Sequence, residues 1–453
     1  MSEALLPQSV GDDSTSREAA VAAYNAFVLK HTWYNLVLNV ADGAIFAMGM
    51  ALVPVETVLP GFIKDCADRV PGLSGYGNTL VGVLLFILSI CFMMPQQLWI
   101  SHICERRALL MRPMYVFAIM ERVPWLMLGI MTALVAGRRP GIALYIFFAV
   151  VFYWQSSLGL ISPIWQEMVA KVTPVNRRGL LFGIRESLGG ALGFLTLLVA
   201  NRYMGRFSFP DNYTVLFFAT FVFVTISAIP LALLREAPYP VKRSVKPLME
   251  HMHEAWDAIF NNKPLRNYIW CRIVFGMSAI AAPSFFAVRA TGVIGQEATV
   301  KLMVEMAMVI VLSRMVISIV IGPAGDLFGY RVILTLAGVT GAAGIVCALA
   351  ATGPVGFYAA FALSTLSSMS FWLGHTNYIL ELAPPEKRPS YISLDNMMGL
   401  PVVAVPFVGG WLADKYGYTI PFALGIALSI ISAAMFAKMC VEPRKKLKTE
   451  LVA

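Results

Sequence analysis

The chain has 453 residues, of which 58% are hydrophobic and only 13% are charged, and its formal net charge is +9. A soluble globular protein is about half apolar and about a quarter charged, so most of this surface is predicted to face lipid. The positive charges fall between apolar segments and form no basic, aromatic-interleaved patch, which argues against a nucleic-acid partner.

Twelve apolar segments follow a polar tail at residues 1–32. Each is long enough to cross the hydrocarbon core as a helix, which takes about 20 residues. The sequence therefore predicts an all-α integral membrane protein. The predicted spans are 33–59, 77–102, 113–136, 141–167, 181–204, 213–234, 267–291, 300–323, 331–351, 355–381, 390–413 and 418–440.

The loops differ in their content of lysine and arginine. These residues are concentrated on one side of the predicted spans, in Arg106–Arg112, Lys171–Arg178, Arg235–Arg266 and Arg444–Lys448. Because cytosolic loops are enriched in Lys and Arg, both termini are predicted to be cytosolic. The basic tail at 441–453 either only fixes this topology or also contacts anionic membrane lipids.

A polar linker at 236–265 separates six spans from six, which predicts a first bundle at 33–235 and a second at 266–440. The linker is predicted to contain a short amphipathic helix over 246–260. The two halves share a loop after their fourth spans: with an offset of about 210 residues, Pro174 aligns with Pro384 and Arg178 with Arg388. A match at the same place in each half indicates a duplicated six-helix bundle.

The stretch GPAGDLFGYRVIL lies at the predicted cytosolic turn between the eighth and ninth spans. It fits the pattern G-x-x-x-D-x-x-G-x-[RK]-x-x-L at Gly322, Asp326, Gly329, Arg331 and Leu334. This pattern resembles the signature loop of the major facilitator superfamily. A second copy, GWLADKYG, carries Asp414 on the opposite side, between the eleventh and twelfth spans. The segment Pro174–Gly179 resembles the superfamily's loop between helices four and five.

The resemblance implies two pseudo-symmetric six-helix bundles around a central cavity, with rocker-switch alternating access. It also implies that Asp326 faces the N-terminus of the fifth span, near Gly179, and latches the halves on the cytosolic side. The alternative is that Asp326 only caps its own turn. The remaining predicted gating residues lie in the signature loops, the repeated loops and the start of the fifth span: Arg178, Arg185, Glu186, Gly322, Gly329, Arg331, Arg388 and Asp414.

The first-half counterpart of the signature loop departs from the pattern. It reads QLWISHICERRAL from Gln97, without the aspartate or either glycine. The fifth span also lacks the Gly-Pro pair of drug/proton antiporters, which disfavours a multidrug efflux pump.

Charged residues inside spans are costly and tend to be functional or paired. Asp42 lies about 13 Å inside the first span, at 1.5 Å per residue, on a helix that lines the cavity in the resembled family. It is predicted either to couple transport to protons or to form a structural pair with an arginine. Arg314 is expected to bind an anionic solute or to pair with a carboxylate. Glu121 and Arg122 are adjacent, so no direct pairing between them is expected.

Aromatic and polar side chains occur in the fourth and tenth spans, which also line the cavity in the resembled family. The predicted solute-binding candidates there are Trp154, Gln155, Trp372, His375 and Asn377. Such groups suit a small polar solute because stacking and hydrogen bonds replace its hydration. The serines of these spans are expected to serve either the cavity or helix–helix contacts. His375 is predicted either to titrate or to pack.

We therefore predict a secondary active transporter that moves a small polar solute, coupled to protons and monomeric in a bacterial inner (plasma) membrane. No cofactor or metal is expected, because the six cysteines show no paired spacing and no C-x-x-C. The alternatives are a multidrug pump, a transporter-derived sensor or assembly factor, and a membrane-embedded enzyme. An enzyme is disfavoured because H-E-x-x-H, G-x-S-x-G and P-loop motifs are absent from the sequence.

Overall fold

The computed structural model describes residues 14–93, 109–174, 177–238, 262–295, 299–382 and 399–442. Within these ranges the chain is helical and has no β-strand. The helices of the first half are α1 (Ser14–Ala51), α2 (Val58–Ala67), α3 (Gly77–Met93), α4 (Met111–Met131), α5 (Pro140–Val172), α6 (Arg178–Met204) and α7 (Asp211–Ala232). Those of the second half are α8 (Lys263–Met277), α9 (Pro283–Ile294), α10 (Thr299–Phe328), α11 (Tyr330–Ala350), α12 (Pro354–Leu382), α13 (Val405–Tyr416) and α14 (Thr419–Met439).

The described helices occupy the positions of the twelve predicted spans. Within the described residues, nine helical segments are long and apolar enough to cross a membrane, and α3 contributes a shorter apolar helix at Gly77–Cys91. The helix α12 coincides with the tenth predicted span, and α13 overlaps the last part of the eleventh. The prediction of an all-helical, multi-pass membrane protein is therefore confirmed. The predicted linker helix, the loop from Gln97, Arg388 and the tail beyond residue 442 lie outside the described residues.

Two of the differences from the predicted spans have a clear local cause. The helix α1 begins at Ser14, well before residue 33, because its first turns are rich in alanine and contain no helix breaker. The seventh span is divided into α8, a 3₁₀ turn at Ser278–Ala281, and α9. Pro283 explains this division, because the residue before a proline is disfavoured in the helical region; Ala282 has ψ 146°.

The two halves share one core at one face of the bundle. We call the face where α1 begins and α14 ends the terminal face, and the opposite one the far face. A single buried hydrophobic cluster takes Phe62 and Phe147 from the first half and Phe285 and Met303 from the second. These four residues belong to α2, α5, α9 and α10 and lie towards the far-face ends of the bundle. Side chains of both halves therefore seal that face.

At the terminal face, by contrast, each half has a core of its own among the described residues. One cluster contains Leu110, Met168 and Leu231, all from the first half. Another contains Leu265 and Leu334, with other residues of the second half only. The halves are therefore packed together at the far face and separately at the terminal face.

A carboxylate caps the third span of each half at the terminal face. The Glu236 carboxylate accepts hydrogen bonds from the backbone N–H groups of Leu110 (2.8 Å) and Met111 (3.0 Å), at the start of α4, and pairs with the buried Lys171. The Glu442 carboxylate accepts from the backbone N–H of Arg331 (3.2 Å), at the start of α11. Negative charge is favourable at a helix N-terminus, so the same device stabilises both halves.

Candidate functional site

Asp42 and Arg185 form a buried ion pair between α1 and α6. Arg185 Nη1 lies 3.0 Å from Asp42 Oδ2 and donates to the Asn39 carbonyl oxygen at 3.0 Å. The guanidinium lies over the Trp165 ring, 4.8 Å from its centroid. A Cβ at Gly43 would be 2.3 Å from Arg185 Cγ, so a glycine there gives the arginine room to cross α1. The predicted coupling residue and a predicted gating residue thus form one pair.

A second buried ion pair lies beside the first. Arg122 Nη1 is 3.2 Å from Glu121 Oε2, so the expectation that these neighbours do not pair directly is wrong. The guanidinium folds back towards α4, donating to the Ala118 carbonyl oxygen at 2.8 Å, and Nε reaches the Val224 carbonyl oxygen of α7 at 2.5 Å. Arg122 also acts electrostatically on Asp42. Two carboxylates and two guanidinium groups are therefore buried together without net charge, which limits the cost of burying them.

The candidates of the fourth span are buried within the first half. Trp154 is 5% exposed and packs edge-on against Trp125, with ring centroids 4.8 Å apart. Gln155 Nε2 donates to the Leu88 carbonyl oxygen at 2.9 Å and thereby connects α5 with α3. Both side chains are predicted to line a solute cavity. In the structure they are buried in the first half, where Trp154 packs on Trp125 and Gln155 bonds to the Leu88 carbonyl oxygen.

The candidates of the tenth span differ in exposure. Trp372 is 62% exposed, whereas His375 stacks on Phe371 and its Nδ1 lies 3.0 Å from the Tyr268 hydroxyl. Asn377 Nδ2 donates to the Leu373 carbonyl oxygen of its own helix at 2.9 Å. Among these three, Trp372 has the most open surface. The nearby Ser367 hydroxyl donates to the Ala337 carbonyl oxygen of α11 at 2.7 Å. This serine therefore forms a helix–helix contact, one of the two roles expected for the serines of these spans.

Arg314 lies opposite a carboxylate of the other half. Its Nη2 is 3.9 Å from Glu56 Oε1, and the two side chains are 49% and 36% exposed, respectively. Pairing with a carboxylate was one of the two roles predicted for Arg314. In the sequence, Glu56 lies two residues after Pro54, near the end of the first predicted span.

The helix α2 helps to close the far face. A Cβ at Gly61 would lie 1.9 Å from Met303 Sδ, so α2 packs closely against α10 of the other half. Asp65 on α2, outside the predicted spans, accepts a hydrogen bond from the Tyr213 hydroxyl at 2.9 Å. Burial raises the pKa of the Asp65 carboxyl group to about 6. This helix therefore joins the far ends of α7 and α10.

Asp414 of the GWLADKYG segment contacts the first half at the far face. Its carboxylate accepts four hydrogen bonds at the start of α3: from Asn78 N (3.1 Å) and Nδ2 (2.8 Å), and from Thr79 N (2.6 Å) and Oγ1 (2.6 Å). The Tyr418 hydroxyl adds a bond to Asn78 Oδ1 at 3.1 Å. Asp414 thus caps the N-terminus of a helix in the opposite half, which is the kind of contact predicted for Asp326 on the other face.

Glycines let α13 approach α3 at this contact. A Cβ at Gly410 would lie 2.2 Å from the Asn78 carbonyl oxygen. We expect Gly410→Ala to separate the two helices and to lower the stability of the far-face contact by about 1–3 kcal/mol, the usual cost of overpacking. The midpoint of thermal unfolding in detergent measures this loss. Gly353→Ala is the matched control, because a Cβ there meets nothing within 4 Å; equal midpoints would contradict the close packing.

The signature segment forms a tight turn between α10 and α11, as predicted. Gly329 has φ 89°, a conformation that glycine adopts readily, and a Cβ there would lie 2.3 Å from Glu442 Oε2. Gly322 lies within α10. The side chain of Asp326 is outside the described part of the structure, so the Asp326 latch stays a prediction.

The predicted gating residues around the start of α6 are separated from one another. Arg178 Nη2 donates to the Ala170 carbonyl oxygen at 2.7 Å and so holds the end of α5. Glu186 is exposed on α6, whereas its neighbour Arg185 is turned towards Asp42. Gly179 lies in the first turn of α6.

Sequence reasoning missed several buried or membrane-embedded acidic groups. Glu305 accepts a hydrogen bond from the Tyr358 hydroxyl at 2.6 Å and joins α10 to α12. It is a single carboxylate in the apolar run KLMVEMAMVIVL, so its position was visible as a charge within a span. Glu236 and Glu442 were missed because each lies at the end of a half, among loop residues. Within the described ranges, no group of three or more His, Cys, Asp or Glu side chains is arranged to hold a metal ion.

Comparison with known proteins gives a sequence match and several similar folds. Residues 294–452 match the model of the Major Facilitator Superfamily. A search of curated proteins finds no match. Solved structures with a similar fold include the D-xylose-proton symporter, with TM-score 0.67, 12% identity, and 90% of this chain and 98% of that chain covered. The nucleoside transporter NupG gives TM-score 0.64 and 13% identity, over 89% of this chain and 99% of that chain.

A further similar structure is the inward open conformation of the xylose transporter XylE from E. coli. It gives TM-score 0.63 and 12% identity, over 90% of this chain and 96% of that chain. At such identities the likeness concerns the fold.

Proposed function

Because the chain has the fold of major facilitator transporters and matches that superfamily's sequence model over residues 294–452, we propose that it is a secondary active transporter. It moves a small polar solute across a plasma membrane, by alternating access and coupled to protons. It acts as a monomer surrounded by membrane lipids, with both termini in the cytosol.

The observation that carries this proposal is the difference between the two faces. Both halves contribute to one buried core near the far face, while each half has its own core at the terminal face. A transporter that opens alternately to the two sides needs such an arrangement, with one face sealed between the halves and the other separable. The form described here is then the one open to the cytosol.

The residues of the gates and of proton coupling follow from this proposal. Asp414 is the latch of the far face, and Asp326 with Arg178 and Arg388 is its counterpart when the terminal face closes. Asp42 carries the proton, and Arg185 is its exchange partner, because an arginine released from the carboxylate on protonation is free to change its contacts. The exposed Trp372 offers a stacking surface to the solute.

The test is solute uptake by purified protein in proteoliposomes. The panel contains xylose, a nucleoside, amino acids, dipeptides, organic acids and a cationic dye, each with and without an imposed pH gradient. At one proton per solute, one pH unit supports about tenfold accumulation, because each 1.4 kcal/mol is a factor of ten. Movement of the dye alone would indicate a multidrug pump. Binding without movement would indicate a sensor and contradict the transport proposal.

A further inference from the structure

We propose that Glu56 and Arg314 bind the two charged ends of a zwitterionic solute, one that carries an anionic group and an amine, as amino acids and short peptides do. This proposal rests on the transport function proposed above and specifies the class of solute. It takes the two side chains as a site that the solute enters, rather than as a structural ion pair.

The first argument is that the pair is loose. The distance of 3.9 Å between Arg314 Nη2 and Glu56 Oε1 exceeds the 2.7–2.9 Å of a charge-assisted hydrogen bond. Within the described ranges, no hydrogen bond of either side chain is seen. The Asp42–Arg185 pair, by contrast, is bonded at 3.0 Å, and its arginine also donates to a backbone carbonyl. Both charged ends of the Glu56–Arg314 pair therefore have bonding capacity for a ligand.

The second argument is that Arg314 is exposed towards the inside of the protein. The exposed apolar side chains of α10 include Leu312, Val316 and Ile319, which follow helical spacing and form one exposed apolar stripe. Arg314 is two residues from Leu312 and from Val316, so at 100° per residue it lies on the opposite side of the helix. Its exposed surface, next to a carboxylate of the other half, therefore faces the space between the halves.

The third argument is that both side chains extend from fixed backbone. The Ser284 hydroxyl donates to the Val55 carbonyl oxygen at 3.1 Å, which holds the residue next to Glu56 against the second half. Met315, next to Arg314, packs at Gly190 of α6, where a Cβ would be 3.7 Å from Met315 Cβ. Only the flexible ends of the two side chains need to move to admit a ligand.

The chemistry then selects for a solute with two opposite charges. The guanidinium binds an anionic group in a bidentate manner, and the carboxylate accepts from an ammonium group. A solute with one charge leaves the other protein charge without a partner, and unpaired polar groups give strong discrimination in binding. A zwitterion satisfies both charges and replaces the direct contact between the halves by a bridge through the solute.

The experiment measures binding of zwitterionic amino acids and dipeptides to full-length protein in detergent by calorimetry. Two sets of analogues each lack one charge: N-acetyl derivatives lack the amine, and amides lack the carboxylate. Wild type is expected to bind at least one zwitterion about tenfold or more tightly than either analogue, the scale of one lost charged hydrogen bond. Glu56→Gln should remove the preference over the N-acetyl form only, and Arg314→Gln the preference over the amide only.

The controls separate this site from general damage and from the transport proposal. Lys301→Gln, which removes an exposed positive charge of α10, should bind zwitterions as wild type does. Variants that elute as aggregates are replaced by the exchanged pair Glu56→Arg with Arg314→Glu, which should restore zwitterion binding. Failure of folded wild type to bind any zwitterion overturns the inference. If that protein still moves xylose or a nucleoside into proteoliposomes, the transport proposal stands while the zwitterion site falls.

Discussion

Asp42→Asn is expected to abolish proton-driven accumulation of solute while leaving the exchange of solute across the membrane intact. Asparagine retains the shape of the side chain and an oxygen that accepts from Arg185, but it cannot bind or release a proton in the working pH range. The two halves can still change between the form open to one side of the membrane and the form open to the other with the solute bound. Uphill uptake under a pH gradient and counterflow without one measure the two activities separately in the same proteoliposomes.

The partner substitution is expected to act differently. Arg185→Gln leaves the Asp42 carboxylate buried without its cation, which costs about 3–5 kcal/mol in stability. The double variant Asp42→Asn with Arg185→Gln should regain much of this loss, because the unpaired charge is then gone. Thermal unfolding in detergent reports on the pair, and uptake reports on coupling. Accumulation by Asp42→Asn equal to wild type would remove Asp42 from the coupling mechanism and leave it as a structural pair.

Asp414→Asn is expected to shift the protein towards the form in which the far face is open. An asparagine has one acceptor oxygen and turns an amide N–H₂ group towards donors, so it cannot keep the four hydrogen bonds that Asp414 accepts from Asn78 and Thr79. It also removes negative charge from the N-terminus of α3. A loss of about 2–3 kcal/mol is expected, which is roughly a 30- to 150-fold change in the equilibrium between the two forms.

Spin labels on the two halves can follow this shift. Ser74 and Val355 are exposed at the far face on opposite halves, and the distance between labels there should lengthen in Asp414→Asn. Asp211→Asn is the matched control, since it removes an exposed far-face carboxylate at the start of α7 that has no hydrogen bond or ion pair to the other half within the described residues. An unchanged distance distribution in Asp414→Asn would show that the shared hydrophobic core alone seals this face.

Much of the fold followed from local properties of the sequence. The length and apolarity of the segments determine the spans, and the glycine at position 329 predicts the turn between α10 and α11. Long-range pairing was less accessible. The partner of Asp42 is 143 residues away along the chain, and no local pattern indicates which of several arginines it meets. The burial of Trp154 against Trp125 has the same origin, because it depends on how α4 and α5 are rotated against each other.

The GWLADKYG segment illustrates what pattern alone leaves open. Its aspartate and glycines indicate a helix-capping carboxylate at a close contact between helices, and Asp414 and Gly410 have this arrangement. The pattern does not contain the identity of the partner helix, which is set by the packing of two bundles. At Glu121 and Arg122 the local pattern itself was misleading. Helical spacing predicted that the two side chains point apart, but the long arginine side chain bends back and pairs with its neighbour.

The contact of Asp414 with α3 has a consequence for biosynthesis. It joins residues 336 positions apart, and the carboxylate is translated when most of the chain is already in the membrane. The cores at the terminal face need residues of one half only, so each can form as soon as its own helices have been inserted. Domains fold as units during synthesis, the N-terminal one first. The start of α3 must therefore wait, with its N–H groups uncapped by Asp414, until the ribosome has nearly finished, and a chain truncated before residue 414 would be left with an unsealed first bundle.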